Sequence, residues 1–292
     1  MRLRSIIERL TILILILTLI LALSCTAEGS SFPLTEGTDI RILSYNILHP
    51  DWGRVPLAGR DETVANILRC YRPDVAALQE AGAKWHKALI PLLVESGLYA
   101  QACRKSNAEG FTYCTTTFLY NPKAVRLVQE VILDLDYRDA TRVLAVAVFE
   151  KLFDGRCFVV ANTHPAPTNE PKAYARNMAD LTAYAKETIE KYADLPVIFC
   201  GDFNTPEQSE LYGRFMEETG VRDAKYEAET LLYGCSTYIG YPGVIDTERT
   251  DQCIDHIFVS ERADIKLFTA VIDCDAQSAS DHIPICADIE LK

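Results

Sequence analysis

Six short polar segments stand where apolar runs end. They are Ser44-Tyr45-Asn46, Leu78-Gln79-Glu80, Asn162-Thr163-His164, Gly201-Asp202-Phe203-Asn204, Ile254-Asp255-His256 and Ser280-Asp281-His282. Their carboxylates, carboxamides and imidazoles are the groups that move protons and hold oxygen-preferring cations. Taken singly, each segment is weak: a glutamate at a strand end is usually a solvated charge, and an Asp-His pair is usually structural. Gly-Asp-Phe-Asn is stronger, because glycine permits a tight turn that lifts two polar side chains off a sheet. The chain has ten cysteines but no Cys-x-x-Cys spacing, so a zinc site is not favoured.

Rigid elements must bring these segments together, and the pattern supplies them. Ile40–Tyr45 alternates apolar and polar residues as a half-buried strand does. A helix is expected over 62–71, with Asp61 as its N-cap and Pro73 as its stop, then a short buried strand at Val75–Leu78 and a helix over 84–95. The middle is strand-rich, with Thr115–Tyr120, Val143–Phe149 and Cys157–Ala161, the last two parted by an Asp154-Gly155 turn. A long amphipathic helix follows from Pro171 to Tyr192, then a strand at Val197–Cys200, a helix near 208–219, and strands near 254–259, 265–272 and 284–290. Mixed sheets packed face to face with helices outside are the expectation.

The N-terminus is read apart from the fold. Arg2, Arg4 and Arg9 precede an apolar run from Leu10 to Leu23, too short to span a bilayer, and Leu21-Ala22-Leu23-Ser24-Cys25 ends it. Residues 1–24 are therefore expected to be a signal peptide. The segment resembles a bacterial lipobox, which would make Cys25 the lipid-anchor cysteine; ordinary cleavage near Ala27 is the alternative. Residues 25–38 are expected to be the anchor and a flexible linker, and 39–292 one domain. The full chain carries −12; removing residues 1–24, with three Arg and one Glu, leaves −14. Such a surface has no general basic footprint for nucleic acid. Cys157, Cys200 and Cys286 lie in apolar runs as small buried hydrophobes, while Cys103/Cys114 and Cys235/Cys253 flank loops and are candidate disulfides outside the cytoplasm.

In this order, the six segments resemble the endonuclease/exonuclease/phosphatase superfamily, the deoxyribonuclease I-like fold, over about residues 39–292. The resemblance implies an α/β protein, a four-layer α/β sandwich of two mixed β-sheets packed face to face with helices on both outer sides. It implies an extracytoplasmic phosphoesterase using Mg²⁺, with Mn²⁺ a possible substitute. Glu80 is then the principal metal ligand, completed by Asn46 and Asp281. His164, Asp202, Asn204, Asp255 and His282 are the catalytic candidates: Asp202 and His282 contend to activate water, Asp255 orients His282, Asn204 donates to a phosphate oxygen, and His164 serves the leaving group or the charge growing on phosphorus. Arg142 is a candidate phosphate-binding cation, a solvated strand-end arginine being the equal alternative. His49 and Trp52 are expected at the mouth of the site, His86 on the surface, Arg176 in a structural role, and His256 pointing away. Pro165 and Pro167 depart from the usual pattern after the histidine and stiffen that loop. Nucleic acid, a lipid headgroup and an inositol phosphate remain open as substrates for a monomer tethered to the membrane, facing the periplasm or cell exterior. An inactive member acting as a binding or scaffold lipoprotein is the alternative from another class.

Overall fold

In a computed structural model, the described residues are 31–50, 55–104, 116–135, 142–241 and 243–292. Two mixed β-sheets form the centre. The first has seven strands: β1 (Ile40–Asn46), β2 (Val75–Gln79), β3 (Ala100–Ala102), β4 (Thr117–Tyr120), β10 (Thr230–Leu231), β12 (Ala263–Ala270) and β13 (Ile285–Leu291), in the order β10-β12-β13-β1-β2-β4-β3. The second has six: β5 (Val125–Asp134), β6 (Val143–Lys151), β7 (Cys157–Thr163), β8 (Val197–Asp202), β9 (Arg222–Asp223) and β11 (Asp255–Val259), in the order β5-β6-β7-β8-β11-β9. Strands buried on both faces read as continuous apolar runs, as β1, β2 and β8 do.

Helices cover the outer faces. α1 (Arg60–Tyr71) and α2 (Ala83–Ile90), which runs on as a π-helical turn over Pro91–Glu95, pack their Val64, Leu68, Trp85 and Leu89 into one core with the first sheet. α3 (Pro171–Lys191) and α4 (Glu210–Thr219) lay Met178, Leu181 and Phe215 on Val159 and Phe199 of the second. Each fully buried large side chain contributes about 1.5–3 kcal/mol. The shorter helices are α5 (Ala224–Glu227) and α6 (Cys274–Ala279). This is the expected four-layer sandwich.

The sheets are also joined by polar bonds across the core. Gln79 Nε2 donates to Asn162 Oδ1 at 2.8 Å, and Asn162 Nδ2 donates to the carbonyls of Leu78 and Thr117. Strand direction sorts the molecule into two rims. β1, β2, β7 and β8 all end on the same rim, and β11 and β13 begin there. Five of the six polar segments begin or end a strand there, and Ser280-Asp281-His282 leads into β13.

Several expectations need correction. Gly59, in the left-handed region at φ 85°, caps α1, and Asp61 lies in its first turn. His86 is buried, sharing a hydrogen bond with Gln101, and burial lowers its pKa to about 4. Cys235 and Cys253 are free thiols, and Cys253 Sγ instead approaches the Cys235 carbonyl at 3.4 Å. Cys200 and Cys286 are buried as expected, whereas Cys157 is half-buried at the start of β7. The strand β5 went unread because its side chains are mostly exposed or half-exposed. The spacer is not loose throughout. Phe32 stacks on Tyr71 at 4.9 Å, and the buried Arg41 donates to the carbonyls of Phe32 and Pro33 while pairing with Asp288 at 2.6 Å. Residues 1–30, with Cys25, and residues Trp52 and Cys114 lie outside the described residues.

Candidate active site

The rim where β1, β2, β7 and β8 end holds a cleft of about 370 Å³, lined among others by Glu80, Arg142, His164, Asp202, Asn204, Asp281 and His282. Asp202, the last residue of β8, lies at its centre and is 2 % exposed. Its Oδ2 accepts from Asn46 Nδ2 at 2.9 Å and lies 3.2 Å from His164 Nε2 and 3.6 Å from His282 Nε2. Its Oδ1 accepts from the Asn204 backbone N–H at 2.9 Å. Burial opposes the charge, but His282 and His164 outweigh it and hold the carboxyl well below its ordinary range.

Backbone geometry makes this convergence possible. Gly201 has φ 146°, and a Cβ there would lie 2.1 Å from the Thr163 carbonyl on the neighbouring strand. Only glycine lets β8 approach β7 this closely while turning Asp202 into the cleft. Glu80 and Asn204 both take left-handed backbone conformations, φ 60° and 49°, immediately beyond their strands. Such conformations are costly for residues with a Cβ and collect at functional sites.

His282 and Asp255 form a second buried unit. Asp255 Oδ2 lies 2.8 Å from His282 Nδ1, and the Tyr238 ring stands edge-on to the imidazole at 5.1 Å between centroids. Burial works against a charged imidazole, yet Asp255 and Asp202 raise its pKa to about 10. His282 is therefore an imidazolium at neutral pH, with Nδ1–H committed to Asp255 and Nε2–H directed toward Asp202. Ser280 supports the turn, donating from Oγ to the Asn46 carbonyl at 2.7 Å and accepting from the His282 N–H at 3.2 Å.

The third group is Glu80 with Asp281. Burial and the neighbouring charge of Glu80 push the Asp281 carboxyl up against the pull of His282. Both carboxylates line the cleft, and their hard oxygen donors suit Mg²⁺ better than a softer metal. Asp202, Asp255 and His282 also come within 4.8 Å of one another and could hold a metal. There, the two His282 ring nitrogens already each face a carboxylate, Asp255 at 2.8 Å and Asp202 at 3.6 Å. Asn46 lies against Glu80, the principal ligand candidate. Its Oδ1 accepts from the Leu48 N–H, and its Nδ2 reaches Glu80 Oε1 at 3.2 Å as well as Asp202, so it ties the two carboxylates together.

Arg142 and Asn204 are at the cleft, with duties beyond substrate. Arg142 Nη1 and Asn204 Nδ2 both donate to the Pro165 carbonyl at 3.2 Å, which fixes the loop after His164. Asn177, from α3, completes that brace by accepting the Ala166 N–H at 2.9 Å. His49 is held by its backbone N–H on Glu80, with its ring against Gly82. His256 points away from the cleft, between Asp223 and the Thr205 carbonyl, and Arg176 lies exposed on α3. Tyr238 and Asn177 were not read from the sequence. Tyr238 sits in a long loop without local periodicity, and the signal for Asn177 was an amide on the otherwise apolar face of an amphipathic helix.

A family model for the Endonuclease/Exonuclease/phosphatase family matches residues 43–282. The chain belongs to this family. Among solved structures, the mannosyl-6-phosphatase of Bacteroides thetaiotaomicron is similar at 19 % identity and a TM-score of 0.71, covering 86 % of this chain and 99 % of that one. The human Nocturnin catalytic domain, solved with a bound sulfate anion, has 20 % identity, a TM-score of 0.69, and coverage of 89 % and 97 %. TDP2 of D. rerio, complexed with single-strand DNA product, has 19 % identity, a TM-score of 0.65, and coverage of 86 % and 98 %. These likenesses bear on the fold. No curated protein matches the chain. Family membership makes the chain a phosphoesterase, from a family that is generally dependent on divalent metals.

Proposed function

We propose that the chain is an extracytoplasmic, Mg²⁺-dependent phosphoesterase tethered to a membrane through Cys25. The observation that carries the hydrolase reading is the buried Asp202 carboxylate set between two histidine Nε2 atoms and beside the Glu80–Asp281 pair. Glu80 and Asp281 would hold the metal, which when bound supplies charge neutralisation at the phosphate.

The chain's own residues do the rest. Asp202, kept ionised, takes a proton from the attacking water. His282 is charged, and an imidazolium has no lone pair with which to serve as the base. Its Nε2–H, with that of His164, donates to a phosphate oxygen that enters beside Asp202. Asp255 keeps His282 oriented and charged, and the amide of Asn46 holds Glu80 and Asp202 in register. These donors are fixed before substrate arrives, which is how preorganised electrostatics lowers a barrier.

The test is hydrolysis of bis-p-nitrophenyl phosphate and p-nitrophenyl phosphate by residues 26–292. Turnover should require Mg²⁺, accept Mn²⁺ in part, and disappear in Glu80→Ala and His282→Ala. Absence of turnover on both esters, or turnover unchanged in both variants, overturns the hydrolase reading. Separately, Cys25→Ala should move the protein from the membrane fraction to the soluble one; a variant that stays with the membrane refutes the anchor.

A further inference from the structure

The rim opposite the cleft carries features that the hydrolytic site does not use. Phe153, at the tip of the β6–β7 hairpin, is 94 % exposed, and its neighbour Leu152 is 49 % exposed. Leu34 is 61 % exposed and Leu98 41 %. Single exposed apolar residues are ordinary, and the loops on the cleft side expose Leu231, Leu232, Tyr233 and Val244 as well; what sets this rim apart is the cations that border its apolar side chains. Lys123 joins them: it lines a groove of about 540 Å³ with Leu152 and Phe153, and a second of about 750 Å³ with Arg72 and Leu98. Arg72 and Lys123 are both exposed, in a chain whose net charge is −12.

The chain enters the fold on this rim. Phe32 stacks on Tyr71, Arg41 grips the Phe32 and Pro33 carbonyls, and the Thr35 N–H donates to Asp288. Asp39 is then bonded to Lys151 and Arg156, the residues that flank the Leu152–Gly155 turn. A segment clamped this far toward its start leaves residues 26–31 as the tether, at most about 20 Å when fully extended. The strands between the rims are of similar length. The seven residues of β1 span roughly 23 Å, with Ile40 at the clamped end and Asn46 at the cleft.

We propose that this rim is a bilayer-docking face: Leu34, Leu98, Leu152 and Phe153 enter the interface, Arg72 and Lys123 meet anionic headgroups, and the catalytic cleft is turned away from the anchoring membrane. The choice of occupant rests on the lipid-anchor reading. Apolar side chains bordered by cations are the chemistry that an anionic phospholipid surface recognises. The substrate class follows from the orientation. A cleft facing away from the bilayer receives soluble phosphate esters and not the headgroups of the membrane that holds the enzyme.

Residues 31–292 contain every described element of the fold, so docking can be measured without the anchor or the leader. Co-sedimentation with vesicles of phosphatidylcholine and phosphatidylglycerol should show binding that weakens when phosphatidylglycerol is omitted or salt is raised. Leu152→Ser/Phe153→Ser should reduce that partitioning at least tenfold. Hydrolysis of p-nitrophenyl phosphate should stay at the wild-type rate, and Val244→Ser, an exposed apolar residue on another loop, should leave partitioning unchanged. No vesicle binding by the wild type, or equal binding by the double variant, overturns the docking face whatever the catalytic assay returns. Orientation is read separately with brominated phospholipid: the fluorescence of Phe153→Trp should be quenched and that of Tyr238→Trp should not. Quenching at position 238 overturns the orientation and the substrate class with it.

Discussion

Asp255→Asn isolates the electrostatics of the cleft, because it keeps the shape and a hydrogen-bond acceptor for His282 Nδ1–H while deleting the charge. With a folded-state pKa of about 10 against 6.5, protonation of His282 contributes on the order of 4 kcal/mol at pH 7 and almost nothing at pH 10. The pKa is raised on folding, so this stability is fully present below pH 6.5 and is lost as pH rises through 10. Asp255 supplies the largest favourable share and Asp202 the next. Removing a charge from a buried position offsets part of the loss when the carboxylate becomes an amide. The expected cost is therefore about 2–3 kcal/mol at pH 7, a fall in Tm of roughly 5–10 °C for a domain of this size. The assay is thermal melting of metal-stripped wild type and variant between pH 6 and 10.5. The gap should close toward pH 10, and kcat for bis-p-nitrophenyl phosphate should fall about 100-fold or more. A gap of equal size at pH 7 and pH 10, or no gap at all, would refute the assignment of His282 as an imidazolium held by Asp255.

Gly201→Ala should fail to fold or lose more than about 3 kcal/mol in urea unfolding, because its Cβ would lie on the Thr163 carbonyl; wild-type stability would contradict the close approach. Asn177→Leu should lower kcat about tenfold with little change in KM, since it frees the Ala166 N–H and loosens the loop that carries His164; the measurement is steady-state kinetics beside a melting curve. Arg41→Met should cost about 3–5 kcal/mol by leaving Asp288 buried and unpaired. The same variant should open residues 32–35 to proteolysis, read by limited digestion.

What was legible in the sequence was whatever polar chemistry broke an apolar strand. Asn46, Glu80, His164 and Asp202 stand where such a run stops, Asp255 and His282 stand where one begins, and strand ends on one rim are brought together by sheet topology alone. Gly201 was legible for the same reason, as a residue type that a tight approach demands. Tyr238 was not, since its place on His282 is set by a loop whose path depends on contacts distant in sequence. The two carboxylates that the Asn46 amide joins could not be told from residue type, because Glu80 and Asp202 reach it from different strands. The His86 ring gave no warning either, because its burial depends on Gln101 from β3. The docked spacer was hidden by its polar composition, although Phe32 and Arg41 are the pair that hold it.

The central claim is that Asp202, between two histidines and beside a carboxylate pair, drives metal-dependent phosphoester hydrolysis. It is tested most directly by running a panel of soluble and lipid phosphate esters with the wild type beside Asp202→Ala, with Mg²⁺ and with chelator. The account predicts Mg²⁺-dependent turnover by the wild type on at least one soluble ester, lower by 100-fold or more in Asp202→Ala and absent with chelator. Turnover equal in the two proteins, or indifferent to chelation, would contradict it.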